Sequence, residues 1–251
     1  QTCALPIWNP GGGKSWCLIS LGAMAVKLGY NVLHYTLELS ESYVGKRYDA
    51  CFSGIPVDRL GEHRADVEKI INELPGNLIV KEYSPGRASV NTIESHVQKC
   101  IDLGIKPDLI IIDYVDLLKS KRKGSEKKEE IDDVYTATKG LARDLKVPVW
   151  TVSQVNRAGA KDDIIEGDKA AGSYDKMMIA DFALSLSRKR QDKVNGTGRF
   201  HVMKNRYGMD GMSYNATIDT SMGRIKIDNS ELDESTLPPP STTGSFGSFN
   251  Q

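Results

Sequence analysis

The stretch Trp8-Asn9-Pro10-Gly11-Gly12-Gly13-Lys14-Ser15 has the residue types and spacing to hold phosphate. It follows the pattern Gly-x-x-x-x-Gly-Lys-Ser/Thr, with tryptophan at the first glycine position. Successive glycines let the backbone curl so that several N–H groups point at one centre. Lys14 can then reach the outer phosphates of a nucleotide, and the Ser15 hydroxyl can ligate Mg²⁺. Pro10, Gly11, Gly12, Gly13, Lys14, Ser15 and Trp16 are the expected nucleotide-binding set, backed by the positive end of the helix that follows. The competing reading is a glycine-rich turn that happens to precede Lys-Ser.

Such a site also needs a second carboxylate near the metal and a group that activates water. Asp113 closes the apolar run Leu109-Ile110-Ile111-Ile112, which places it at a strand end and makes it the expected partner of Ser15 at Mg²⁺. Glu38 follows a second apolar run, so it should emerge at the carboxyl edge of the same sheet, where open α/β sheets bind ligands. A carboxylate there can orient and partly deprotonate an attacking water. The bland alternative is an acid capping the helix that Ser40 begins.

The elements that must position these residues are legible in outline. Residues 15–29 read as a helix, largely buried through Trp16, Ile19, Leu21, Ala23, Met24, Ala25 and Leu28. Strands are expected at 31–37, 77–82, 108–113 and 148–153, and helices at 40–52, 89–103 and 129–145, with short helical turns within 57–74. Strands alternating with helices imply a parallel sheet covered on both faces. From Phe182 the pattern changes to short strands at 182–187, 199–204, 213–218 and 224–227, joined by glycine-containing turns. These read as antiparallel strands extending the sheet.

Bulk composition narrows the classes. With 251 residues and 39% hydrophobic content, one sizeable core is affordable. Lys and Arg total 33 against 33 Asp and Glu, so any nucleic-acid surface must be local. Cys3, Cys17, Cys51 and Cys100 lack metal or disulfide spacing, which fits reduced thiols in a cytoplasmic protein. His34, His63, His96 and His201 lack metal-like spacing too, and no apolar run approaches membrane-spanning length. Gln1–Ile7 reads as an adapter-derived artefact, with Trp8 a junction codon in place of glycine. The natural chain is then expected to continue upstream.

Four further segments follow the phosphate loop in order: Tyr35-Thr36-Leu37-Glu38-Leu39-Ser40, Ile112-Asp113-Tyr114-Val115-Asp116, Pro148-Val149-Trp150-Thr151-Val152-Ser153-Gln154-Val155-Asn156-Arg157, and Met203-Lys204-Asn205-Arg206-Tyr207-Gly208. Together they resemble the RecA-like motor domain of the DnaB-type replicative helicases, particularly phage versions. The resemblance implies an α/β P-loop NTPase fold with a mostly parallel sheet and antiparallel strands on its C-terminal side. Residues 229–251, acidic and then Pro-, Ser- and Gly-rich, read from composition as a disordered tail, and the resemblance implies residues 8–228 as the ATPase domain. It further implies ATP and Mg²⁺, a homo-hexameric ring around single-stranded DNA, and primase and a helicase loader as additional partners. If the source is a phage, the location is the host cytoplasm.

Residue by residue, the resemblance makes Glu38 the catalytic glutamate and Arg47 a nucleotide contact. It makes Gln154 a γ-phosphate sensor coupled to DNA. Lys204 and Arg206 become a basic pair that reaches a neighbouring subunit's nucleotide. Their alternation on a strand points both side chains the same way, and an arginine supplied in trans accelerates phosphoryl transfer by about 10³–10⁵. Tyr207-Gly208-Met209-Asp210-Gly211 departs from the Gly-Pro pair frequent in the family after the arginine. Lys169, Gly172 and Ser173 lie near the family's DNA-contacting stretch. The basic run from Lys119 to Lys128 is a second candidate for phosphate-backbone contact. Arg188, Lys189, Arg190 and Lys193 read as a basic surface turn. A RecA-like recombinase, a small-molecule P-loop kinase and a DNA-binding module without turnover remain the rival readings.

Overall fold

The computed structural model describes residues 3–8, 13–122, 126–154 and 174–231. Its centre is a twisted sheet of ten strands among the described residues. In chain order they are β1 (Cys3–Trp8), β2 (Val32–Thr36), β3 (Leu78–Glu82), β4 (Leu109–Asp113), β5 (Val149–Thr151), β6 (Ser153–Gln154), β7 (Phe182–Ser187), β8 (Thr197–Asn205), β9 (Ser213–Asp219) and β10 (Arg224–Glu231). The helices are α1 (Lys14–Lys27), α2 (Glu41–Ser53), α3 (Arg64–Asn72), α4 (Val90–Asp102), α5 (Lys127–Leu145), α6 (Tyr174–Ile179) and α7 (Arg190–Asn195).

The spatial order is β10-β9-β8-β7-β1-β5-β4-β2-β3, with β6 continuing the β5 side of β1. Strands β1 to β7 run parallel, and β8 to β10 add on as antiparallel neighbours. This corrects one expectation. Phe182–Ser187 is parallel to β1, its Ala183 opposite Leu5 and its Leu186 opposite Trp8. Antiparallel pairing starts only between β7 and β8. The last strand also runs to Glu231, so residues 229–231 belong to the sheet and not to a tail.

Alternation along the strands divides the core into two layers. Leu33, Tyr35, Ile110 and Ile112 face α4 and α5, while Val32, His34, Leu109 and Ile111 face α1 and α2. Because β4 is covered on both faces, it reads as a continuous apolar run. Each fully buried isoleucine there stabilises by about 1.5–3 kcal/mol. Helix α1 buries Leu18, Ile19, Gly22, Ala23 and Val26. It is less buried than expected, with Met24 57% exposed and Leu28, just past its end, 68% exposed. Gly22 is required at the α1–α2 contact, since a Cβ there would stand 2.2 Å from the Tyr48 hydroxyl. That hydroxyl bonds His34 Nδ1 at 2.8 Å and ties α2 to β2.

Candidate nucleotide-binding site

The phosphate loop leaves β1 and enters α1 through Gly13, whose φ of 94° is left-handed and suits glycine. Pro10, Gly11 and Gly12 lie outside the described residues. Gly13, Lys14, Ser15 and Trp16 line one wall of a cavity of about 550 Å³ at the carboxyl edge of the parallel strands. Glu38, Leu39 and Arg47 line it from β2 and α2, and Arg188, Lys193 and Thr220 close the far side.

Register brings the two carboxylates together. Thr36 pairs with Asp113 between β2 and β4, and the Leu37 N–H donates to the Asp113 carbonyl at 2.8 Å. The Thr36 hydroxyl donates to the Leu39 carbonyl at 2.8 Å and accepts from its N–H, shaping the turn that presents Glu38. The cap of α2 is Ser40, whose hydroxyl accepts from the Tyr43 N–H. The capping task is therefore filled by another residue, and Glu38 faces the cavity.

Asp113 is 1% exposed and accepts a hydrogen bond from the Ser15 side chain, while its Oδ2 is buried with no partner. Burial pushes its carboxyl above the ordinary range. Glu38 pushes the same way, against Ser15, Lys14 and Arg47. Burial pulls the Lys14 ammonium down, opposed by Glu38, Asp113 and Asp116. The Arg47 guanidinium lies over two rings, 4.7 Å from the centroid of Trp16 and 4.6 Å from that of Tyr43. Its buried Nε is also unpartnered.

Arg188 overturns its reading as surface charge. It is 7% exposed, its Nε donates to the Thr197 carbonyl at 2.9 Å, and its guanidinium stands beside Gly13. Among the described residues no carboxylate pairs with it; nearby Asp192 is taken by Arg199 at 2.7 Å. The signal was available. Arg188 follows a strand parallel to β1, as Glu38 follows β2, and so emerges at the same edge. Reading β7 as antiparallel hid it.

The residues present fit a nucleotide with Mg²⁺. Lys14, Arg47, Arg188 and Lys193 surround the cavity, more positive charge than Glu38 and Asp113 offset. An unpartnered carboxylate oxygen and a serine hydroxyl lie side by side. Among the described residues no group of three or more His, Cys, Asp or Glu could hold a metal ion by itself. A cation held by Ser15 and Asp113 would take the rest of its ligands from phosphate and water.

The other expected residues lie elsewhere. The Gln154 backbone pairs with Trp8, beside the start of the loop, and its side chain is outside the described residues. So are Lys169, Gly172 and Ser173. Lys204 and Arg206 lie at the opposite edge of the sheet. Lys204 pairs with Ala183, and the Arg206 N–H donates to the Asp181 carbonyl at 2.9 Å. The Lys204 ammonium donates to the carbonyls of Met177 and Met178, and Arg206 Nε lies 3.4 Å from Asp181 Oδ1. In the basic run, Arg122 lies 3.8 Å from Asp133, and Lys128 pairs with Asp175 at 2.7 Å. No described helix is long and apolar enough to cross a membrane.

The model of the DnaB-like helicase C-terminal domain matches residues 8–214. The chain belongs to that family. A DnaB-like replicative helicase of Enterobacteria phage T4 is 28% identical over 212 residues, spanning 78% of this chain and 44% of its own length. The replicative DNA helicase DnaB of Leifsonia xyli subsp. xyli is 25% identical over 159 residues, 59% of this chain and 34% of its own. The chain thus spans less than half the length of these two relatives. A solved structure described as an ATPase domain superposes with a TM-score of 0.74 at 19% identity, over 89% of this chain and 84% of that one. A solved DnaB-like replicative helicase, described with its interactions with primase, gives 0.77 at 19% identity, over 89% and 57%. The RecA-like fold with added antiparallel strands is shared with both, and the family favours a helicase over the strand-exchange alternative.

Proposed function

We propose that this DnaB-like domain is the ATP-hydrolysing motor of a replicative DNA helicase, working at the seams of a hexameric ring that moves on single-stranded DNA and unwinds duplex. In this reading Lys14 and Arg188 hold the phosphates and Arg47 braces the nucleotide against Trp16. Ser15 and Asp113 hold Mg²⁺, which neutralises charge on the phosphate oxygens when bound. Glu38 takes a proton from the attacking water and orients it. Gln154 reports nucleotide state, and Lys169, Gly172 and Ser173 contact DNA. A primase and a loader complete the set of proposed partners.

The observation that supports the seam is the distance between Arg206 and its own phosphate loop. Arg206 bonds Asp181, whose N–H donates to the Cys3 carbonyl at the start of β1. From Cys3 to Trp8 the strand rises about 16 Å, more than an arginine side chain spans. That distance supports the reading in which Lys204 and Arg206 serve a phosphate held by another copy.

Mixing tests this. Glu38→Gln keeps the basic pair but lacks the base, and Arg206→Ala the reverse. Each alone should be inert, and the mixture should regain ATPase activity that single-stranded DNA stimulates. Failure of the mixture to recover, with wild-type specific activity independent of protein concentration, refutes the seam.

A further inference from the structure

Lys176 is a buried cation that phosphate chemistry does not use. It is 6% exposed on α6 and does not line the nucleotide cavity. Its ammonium bonds Asp116 Oδ2 at 2.5 Å and Ser153 Oγ at 3.0 Å, and it lies 5.4 Å from the ring centroid of Tyr135. The Tyr135 hydroxyl donates to the other Asp116 oxygen at 2.6 Å. A buried ion pair is a poor way to gain stability, since apolar residues of similar volume do as well or better. Its worth lies in what it fixes in place.

What it fixes is the short turn after β4, the end of β6 and the helix α6. Asp116 follows Asp113 within one short turn, which is pinned by Val115 N–H donating to Thr151 Oγ1 at 3.1 Å. Ser153 directly precedes Gln154. On the far side of Lys176, the carbonyls of Met177 and Met178 at the end of α6 accept from Lys204. The Ile179 carbonyl accepts from Lys139, which also pairs with Asp181 at 2.8 Å, and Asp181 holds Arg206. One short helix is thus clamped at one end to the carboxylate end of β4 and at the other to the basic pair.

We propose that α6 couples the chain's own nucleotide site to the basic pair it lends to the neighbouring copy, with Lys176 and Asp116 as the positioning residues. The inference rests on the seam proposed above. Nucleotide at Asp113 shifts the turn that holds Asp116, Lys176 follows, and the carbonyl end of α6 resets Lys204. A coupling of this kind changes the neighbour's apparent affinity on the order of 5-fold or more, and so appears as cooperativity.

The test measures ATPase rate against ATP concentration in the full chain at saturating protein and single-stranded DNA. Wild type, Lys176→Met, Lys176→Arg and Asp116→Asn are compared, with nucleotide affinity of each measured on dilute protein. Lys176→Met and Asp116→Asn should lower the Hill coefficient to about 1, as expected when coupling is lost. Affinity of the dilute Lys176→Met chain should stay unchanged, and Lys176→Arg should restore cooperativity. If Lys176→Met fails to fold, the near-isosteric Asp116→Asn decides alone. Unchanged Hill coefficients in the variants, or a wild type without cooperativity, overturn the coupling role of α6. Loss of complementation in the Glu38→Gln and Arg206→Ala mixture instead overturns the seam itself, so the two failures are distinguishable.

Discussion

His34 makes the fold acid-sensitive over a defined window, and the size of the effect follows from its surroundings. It is fully buried on β2, with Nδ1 on the Tyr48 hydroxyl and Nε2 without a partner. Burial pulls its pKa down to about 3, whereas a histidine in the unfolded chain titrates near 6.5. Between those values the unfolded chain binds a proton that the folded chain refuses. Stability from this group is complete above the unfolded value and declines as pH falls towards 3. At pH 5 the loss relative to pH 8 is RT ln(1 + 10^1.5), about 2 kcal/mol. By pH 3 it exceeds about 4 kcal/mol. The assay is urea unfolding of wild type and His34→Gln at pH 8 and pH 5. Other groups titrate in both proteins, so their contribution cancels in the difference. The variant should lose about 2 kcal/mol less than wild type over that interval. Equal losses in the two proteins would refute the claim that His34 stays neutral in the fold.

Four other outcomes are expected. Gly22→Ala forces a Cβ onto the Tyr48 hydroxyl and should cost about 1–3 kcal/mol in chemical denaturation through overpacking. Asp113→Asn removes a charge that burial disfavours. It should raise the melting temperature of the nucleotide-free protein while abolishing ATPase activity, and a lower melting temperature would contradict the raised carboxyl. Arg188→Ala removes a charge-assisted phosphate contact of about 1.5–3 kcal/mol, so nucleotide affinity measured by fluorescence titration should fall about 10- to 100-fold. Trp8→Gly restores the first glycine of the loop pattern and should tighten nucleotide binding in the same titration.

Short-range chemistry made much of this protein readable from its residues alone. Gly13-Lys14-Ser15 announces phosphate because only glycine accepts the turn that precedes α1. Leu109 to Ile112 announces a strand buried on both faces, and Asp113 at its end then has to lie at the sheet's carboxyl edge. Ser40 and Ser89 announce helix starts, and both cap as their side-chain chemistry requires.

Strand direction was not readable in this way. Phe182–Ser187 alternates as either a parallel or an antiparallel strand would. Only its place beside β1 decides the direction, and with it whether Arg188 lies at the cavity beside Lys14 or away from it. Likewise, Lys204 and Arg206 look like any basic pair on a strand until the sheet order puts them at the edge opposite their own phosphate loop. The Lys176–Asp116 pair joins residues 60 positions apart, which no local pattern connects. Residue type and spacing determine what chemistry a segment can do. Which chemistry-bearing ends meet is a property of sheet order, since neighbours in the sheet are not neighbours in the chain.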